Sequence, residues 1–355
     1  MKHRFLFFLV LIFSSSVYAQ EYRWKVGLDY FFDNTEYGKS SFTDSETMNG
    51  IWLNPMGSIG WGEKHSIRAG VNLLKIPGMD KIVDKVEVSL CYQYKSPAMV
   101  FRAGSFPRSE VLGNYNNFFF KDSVNHFVPL MQGVFWQIGS NRNFLNMWFD
   151  RTGYATRTRH EHFFVGLSGK ISNGLLFADF QSYMFHYSNT KPATPGEGVS
   201  ENLQLQATTG LDYEGEDGFK GLIAVGTLMG YERDRRFESE RYKPVGFVAR
   251  GDAEMWGIGT KNTFYRGEPR MRLAGTFGGN LYWGTQFLRA KSYAESEWYI
   301  RLIESDFVKA RFNCNLHFTE GNVLFQQMLT VSASIGNFTP KNRKTTRYPW
   351  MRIFH

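Results

Sequence analysis

Residues 308–335 decide the fold, and they read VKARFNCNLHF, then TEGN, then VLFQQMLTVSASI. Apolar residues alternate with polar ones from Val308 to Phe318, and the alternation resumes from Phe325 to Ile335. Period-two alternation on both sides of a short turn predicts a β-hairpin with one apolar and one polar face. Each segment also has the length of a membrane strand, which needs about 9–11 residues.

The same pattern recurs along the chain, beginning with a strand predicted over Tyr22–Phe32. Short turns alternate with longer loops: 34–47 and 188–202 are polar, 106–131 is irregular, and 266–288 is rich in glycine and aromatic residues. Outer-membrane barrels have this layout, with short turns toward the periplasm and long loops outside. We divide 245–265 into two strands near Trp256-Gly257, because this keeps both termini in the periplasm. The sequence therefore predicts an all-β, antiparallel transmembrane barrel of about 16 strands, within a range of about 14 to 18.

Residues 1–19 have the features of a cleaved signal peptide: a basic start, an apolar segment over 5–13 and the site Val17-Tyr18-Ala19. The apolar segment is too short for a spanning helix, which needs about 20 residues. We expect export to the outer membrane, a barrel over 20–338 and a basic tail over 339–355. The tail is either disordered in the periplasm, which we favour, or forms one more short strand over 347–354.

Composition agrees with a barrel, since aromatic residues make up 17% of the chain and 35 residues are glycine. Aromatic girdles and tight turns use both. The net charge of +8 is small for a chain of 355 residues. It indicates either a basic surface that faces anionic lipid, which we favour, or a lumen that prefers anions. We expect no nucleic-acid partner.

The two cysteines are predicted to remain free thiols. Alternation turns Cys91 toward the lumen and Cys314 toward lipid. Side chains on opposite faces of one sheet cannot be bridged by a disulfide.

Charged residues on the predicted inward face favour a water-filled lumen. A barrel of about 16 strands is too wide for side chains alone to fill. The basic residues of the last third of the chain also predict a positive strip and a mild preference for anions. The candidate lumen-lining residues are Arg23, Lys25, Arg68, Lys261, Glu297, Arg301, Lys309 and Arg311.

The stretch 106–131 is the candidate constriction loop. It either folds inward and narrows the pore, or is an exposed loop that packs on its own aromatic residues, Phe118 to Phe120. Both interpretations stay open. The polar side chains that would line the constriction are Arg108, Glu110, Lys121, Asp122 and His126.

Motifs of soluble enzymes fail on inspection, since residues required by the P-loop, zincin and nucleophile-elbow patterns are missing. Barrel enzymes carry acid–base groups at the rim, and the candidates here are Asp122, His126, Asp150, His160 and His162. Such residues are more often solvated polar groups or strand-end pairs. The sequence therefore favours a protein that is not an enzyme, with no cofactor and no metal site.

Short motifs across most of the mature chain carry a family resemblance. They include Phe106-Pro107-Arg108, Trp148 to Asp150, Leu281-Tyr282-Trp283-Gly284, and His317-Phe318-Thr319-Glu320-Gly321 with Gln326-Gln327. These motifs resemble those of the uncharacterised, porin-like outer-membrane β-barrel proteins of the Bacteroidota. In that family a Trp often follows the aspartate, where Arg151 stands here. The resemblance implies fold and location and supplies no substrate.

Three functions follow from the sequence, in order of preference. The first is a porin-like passive channel for small solutes with weak anion preference. The second is a non-channel surface receptor or structural protein that binds a partner through its loops. The third is a rim-sited barrel enzyme. We expect contact with outer-membrane lipid and with the barrel-assembly machinery, and we leave a homo-oligomer open.

Overall fold

The computed structural model describes residues 21–140, 142–196, 198–215, 218–236, 241–338, 345–346 and 348–354. The predicted signal peptide, residues 1–19, lies outside the described residues. So do residues 339–344, 347 and 355 of the predicted basic tail.

The described residues form a closed antiparallel barrel of 16 strands. Each strand pairs with the next, and β1 pairs with β16 to close the wall. This confirms the predicted fold class and strand number. The strands are β1 Glu21–Glu36, β2 Glu46–Trp61, β3 His65–Lys75, β4 Lys85–Lys95, β5 Met99–Pro107, β6 Leu130–Gly139, β7 Phe144–Gly153, β8 His162–Asn173, β9 Leu176–Tyr187, β10 Ser200–Glu214, β11 Lys220–Asp234, β12 Val245–Met255, β13 Ile258–Gly267, β14 Ser292–Ser305, β15 Val308–Thr319 and β16 Asn322–Gly336.

Short helices and one further strand complete the described structure. A two-residue strand, β17 (Thr345–Thr346), pairs with the end of β14. The α-helices are α1 (Asp122–Phe127) and α2 (Ala274–Phe277). Short 3₁₀ helices span Arg108–Glu110, Gly278–Asn280, Gln286–Arg289 and Pro349–Phe354. In the part of the chain that the structure describes, no helix combines the length and the apolar character needed to cross a membrane.

Tight turns close the hairpins where the backbone takes positive φ angles. Trp256 (φ 53°) and Gly257 (φ 77°) join β12 to β13, as the sequence predicted, and Glu320 and Gly321 join β15 to β16 in the same way. Two consecutive residues with positive φ match the twist of the flanking antiparallel strands. We call the end that carries Trp256-Gly257 the short-turn end and the opposite end the long-loop end.

Strand alternation turns apolar side chains toward lipid and another set toward the lumen. Phe312 and Ile223 expose 40% and 67% of their surfaces on the outer face, while the neighbouring Asn313 and Ala224 are buried. Both cysteines are free thiols; Cys91 is buried and Cys314 is partly exposed.

Chain segments that fold inward fill the lumen near the long-loop end. We call residues 108–129 and 268–291 the plug. Phe118, Phe119 and Phe120 of the plug are at most 4% exposed, and its Leu281 and Leu288 are fully buried. The plug contacts opposite sides of the wall: Asn116 donates to Gln206 of β10 at 3.1 Å, whereas Asp122 accepts from Gln326 of β16. The candidate constriction loop thus lies inside the barrel.

Candidate functional site

Helix α1 presents two titratable side chains to the same region of the lumen. Asp122 and His126 are four residues apart, so they lie on one face of the helix. The helix is fixed to the wall, because Trp52 Nε1 donates to the carbonyl oxygen of His126 at 2.8 Å and Lys85 Nζ donates to that of Phe127 at 2.7 Å. The acid–base groups therefore sit on a short element held by β2 and β4.

The wall orients the imidazole of His126. Its Nε2 lies 3.2 Å from Oδ2 of Asp33, which is fully buried on β1. The ring stacks on Phe31, with centroids 4.4 Å apart and planes 3° from parallel. Gln326 Nε2 donates to the other Asp33 oxygen at 2.9 Å. With Nε2 held by a carboxylate, Nδ1 is the nitrogen that can take a proton.

Asp122 contributes a second carboxyl beside this pair. Gln326 Nε2 lies 3.3 Å from its Oδ2. Burial raises the pKa of the Asp122 carboxyl to about 6. The charge of His126 opposes this rise, and the charge of Asp33 adds to it. The carboxyl can therefore hold or release a proton near neutral pH, as an acid–base group must.

A small cavity of about 80 Å³ lies against the carboxyls of Asp33 and Asp122. Asp33, Asp122 and Lys121 line it, together with Thr43 and Asp44 of the first long loop and Glu46 at the start of β2. Burial lowers the pKa of the Lys121 ammonium, so the low-dielectric surroundings extend to this end of the cavity. Within the described residues, no group of three or more His, Cys, Asp and Glu side chains could hold a metal ion.

A hydrogen-bonded network on the far side of the cavity immobilises a second histidine. His317 Nε2 lies 3.0 Å from the Tyr37 hydroxyl, and its Nδ1 lies 2.8 Å from the Tyr293 hydroxyl. Burial raises the pKa of Tyr37 well above its ordinary value, so this phenol stays protonated. Because both ring nitrogens are occupied, His317 supports the site and is not available as a base.

The remaining rim candidates lie elsewhere. Asp150 is buried in an ion pair with Arg108, at 2.5 Å. His160 stacks on Tyr187, with centroids 4.8 Å apart. His162 Nδ1 lies 2.7 Å from the Thr152 hydroxyl. Of the five candidates, the structure brings together Asp122 and His126. It adds Asp33, which the sequence did not single out, and Gln326, which the sequence offered only as part of a family motif.

The candidate lumen residues lie on the interior side of the wall, mostly in ion pairs. Arg301 pairs with Glu254 at 2.7 Å and Glu304 at 3.1 Å, and Arg311 pairs with Glu297. The other pairs are Lys309 with Glu304, Arg68 with Glu110, and Arg23 with Glu21. Lys25 and Lys261 also lie on the interior-facing side of their strands. The prediction of a positive strip did not take account of Glu254 and Glu304, which pair with its basic residues.

Comparisons with known proteins give a family and a fold. The model of the lipid A 3'-O-deacylase-type family matches residues 15–335. No curated protein sequence matches the chain significantly. An anion-selective porin from Comamonas acidovorans is similar in structure, with a TM-score of 0.52, 11% identity, and coverage of 89% of this chain and 100% of the porin. OmpTdeltaL8 of Vibrio cholerae matches with a TM-score of 0.49, 10% identity, and coverage of 90% and 100%.

The family match corrects one prediction from the sequence. The prediction that the protein is not an enzyme is wrong, because the matching family is a family of enzymes. The physical reason for the error is that the rim candidates were judged as separate solvated residues. In the structure, Asp122 and His126 are enclosed beside Asp33, a residue that lies 93 positions from His126.

Proposed function

We propose, for a chain that belongs to the lipid A 3'-O-deacylase-type family, the hydrolysis of an ester-linked acyl chain on a glycolipid of the outer leaflet. The observation that carries the proposal is the His126–Asp33 pair, whose carboxylate lines a small cavity at the long-loop end together with Asp122. We take this end to face the cell exterior, because the long loops of outer-membrane barrels lie outside. Lipid A is the substrate that the family description suggests. Membership of the Bacteroidota barrel proteins, which the sequence resemblance implies, stays a prediction.

The side chains can divide the reaction as follows. His126 removes a proton from water, and the water oxygen forms a bond to the ester carbonyl carbon. Asp33 orients the imidazole and stabilises its protonated form. The Lys121 ammonium, which lines the cavity, stabilises the oxyanion of the tetrahedral intermediate. The carbon–oxygen ester bond then breaks, and Asp122 in its protonated form supplies the proton that the leaving alkoxide takes.

An exposed apolar loop beside the helix gives acyl chains a surface to approach. Ile82 and Met79, between β3 and β4, expose 90% and 56% of their surfaces. Lys85, at the start of β4, contacts the end of α1. Apolar side chains next to basic ones suit a lipid that carries both acyl chains and anionic groups. This arrangement supports a lipid rather than a small water-soluble ester as substrate.

The experiment is an acyl-release assay on the full chain in detergent micelles that contain purified lipid A. Free fatty acid is measured by mass spectrometry for the wild type, His126→Gln, Asp33→Asn and His160→Gln. We expect His126→Gln to lower kcat by about 10²–10⁴-fold, the usual contribution of general acid–base catalysis. His160→Gln is the matched control at the same end of the barrel and should leave kcat within about threefold of wild type.

Two results would overturn the proposal. One is a folded wild-type barrel that releases no fatty acid. The other is equal activity in the wild type and His126→Gln, which would place any hydrolysis outside this site.

A porin-like passive channel for small solutes is the second candidate. It is favoured by a polar cavity of about 880 Å³ at the short-turn end, on the other side of the plug. Conduction would require the plug to move, and weak anion preference would require basic side chains to outweigh their acidic partners. Single-channel recording across a salt gradient tests both. Silence at high protein load argues against the channel, and cation preference argues against the predicted selectivity.

A further inference from the structure

The cavity at the short-turn end, which we call the vestibule, has an excess of positive charge. Its described lining holds Arg23, Lys64, Arg68, Lys95 and Arg102 against three glutamates. The described lining of the long-loop cavity has the opposite balance. Apart from His317, its one basic side chain is Lys121, and its acidic side chains are Asp33, Asp44, Glu46 and Asp122. The two ends of the lumen therefore differ in charge, and the vestibule suits an anion.

Two arginines at the base of the vestibule share one carboxylate. Arg68 donates to both Glu110 oxygens, at 2.8 and 3.0 Å, and Arg102 donates to the same group at 2.7 Å. Burial opposes ionisation of Glu110, but the hydrogen bonds and charges of the two arginines outweigh it and lower the pKa of Glu110 to about 2. The trio thus carries one uncompensated positive charge.

That charge is enclosed and incompletely hydrogen-bonded. Arg68 and Arg102 are each 9% exposed. In the described part of the chain, the Nε atom of each guanidinium is buried without a hydrogen-bond partner. Buried charges are stable when they are paired and their donors are used. A planar guanidinium offers paired donors that match the oxygens of a phosphate group.

We propose that Arg68 and Arg102 form a binding site for a small phosphate-bearing solute that enters from the short-turn end. The anion would neutralise the uncompensated charge and take donors of both guanidinium groups, in competition with Glu110. The Phe338 ring lies over the Arg68 guanidinium, with its centroid 5.8 Å from the guanidinium carbon. This site is separate from the acid–base site and does not depend on the proposed hydrolysis.

The test is calorimetric titration of the folded, detergent-solubilised full chain with inorganic phosphate, at constant ionic strength maintained with chloride. We expect saturable binding by the wild type and at least about tenfold weaker binding by Arg102→Gln, because a charge-assisted hydrogen bond is lost. Glu110→Gln removes the competing carboxylate with little change of shape, so it should bind phosphate about tenfold more tightly. Lys95→Gln, at the rim of the same cavity, is the matched control and should change the Kd less than about threefold.

The outcomes distinguish a specific site at Arg68 and Arg102 from general attraction of phosphate to a basic surface. Equal losses in Arg102→Gln and Lys95→Gln would overturn the proposal, as would the absence of binding in both wild type and Glu110→Gln. The Glu110→Gln arm keeps the test decisive if an arginine variant fails to fold. A parallel titration with glycerol 3-phosphate distinguishes the source of the group: equal affinity indicates free phosphate, and tighter binding indicates a phosphate carried on a larger solute.

Discussion

The buried ion pair between Arg108 and Asp150 is expected to hold the plug in the barrel. Arg108 begins the plug and Asp150 lies on β7; their side chains are 2% and 1% exposed and 2.5 Å apart. The Arg108 guanidinium carbon also lies over two aromatic rings, 5.4 Å from the Phe120 centroid and 5.3 Å from the Trp283 centroid. A single contact therefore joins both inner segments to the wall.

Replacing Arg108 by Met keeps the side-chain volume but leaves the Asp150 carboxylate buried. The partner that remains is the Gln132 backbone N–H, at 2.8 Å. Removing one member of a buried pair costs about 3–5 kcal/mol, because the other charge is left uncompensated. The double variant Arg108→Met/Asp150→Leu removes both charges and should regain most of that loss.

The assay is denaturant unfolding of the detergent-solubilised barrel, followed by tryptophan fluorescence, with single-channel recording on the same samples. Arg151→Met is the matched control, since Arg151 forms a more exposed pair with Glu161 and exposed pairs contribute about 0–1 kcal/mol. We also expect Arg108→Met to show more conductance than wild type, because its plug is less firmly held. A loss below about 1 kcal/mol, or a double variant less stable than the single one, would refute the reasoning.

Three further predictions follow from the wall and the site. Phe312→Arg places a charge in lipid and should destabilise the barrel by about 2–4 kcal/mol, whereas Asn313→Arg, on the lumen side, should cost much less; unfolding and the gel mobility of unboiled samples measure both. Burial raises the pKa of Asp122 to about 6, so the native state binds this proton more tightly than the unfolded chain. The free energy of unfolding should therefore fall as the pH rises through 6, and pH-dependent denaturant titration should show no such fall in Asp122→Asn. If the channel conducts, Lys309→Gln/Arg311→Gln should lower its anion preference at low salt, and an unchanged reversal potential would contradict this.

The strands were predictable because one physical rule governs most of the wall. A residue that faces lipid must be apolar, and its neighbours face the lumen, so the period of two appears directly in the sequence. The hairpin around Glu320-Gly321 forms as this rule predicts, and the turn at Trp256-Gly257 forms where an even number of strands requires it. These features need no knowledge of distant parts of the chain.

The rule fails near the long-loop end, where the inner face meets protein instead of water. Phe31, Leu74 and Leu324 point inward and are buried against the plug or α1. The apolar–polar alternation is therefore lost there, and the predicted first strand ended at Phe32, one residue before Asp33. The most important carboxylate of the site was missed for this reason.

Partner choice among the inward charges also depends on tertiary structure. Alternation places Arg301 on the inner wall, but not beside Glu254, which lies on β12, two strands away. The inward positions of the basic residues on their strands were thus predictable, but the acidic partners that neutralise their charge were not. A count of inward charges overstates the positive strip, because barrel curvature brings acids from non-neighbouring strands within ion-pair distance.

Barrel width led to the expectation of a water-filled lumen, and the structure shows another solution to the same geometric problem. Side chains of the wall cannot fill a 16-strand barrel, but 108–129 and 268–291 fill it at one end with backbone, aromatic rings and a buried ion pair. Electrostatic interactions are stronger at that end, because the plug keeps water out of it. Burial there raises the pKa of Asp122, and the contacts with Asp33 and Phe31 hold His126 in one orientation. A plug of this kind narrows the lumen and encloses Asp122 beside Asp33 at one end, so the porin-like wall is compatible with membership of an enzyme family.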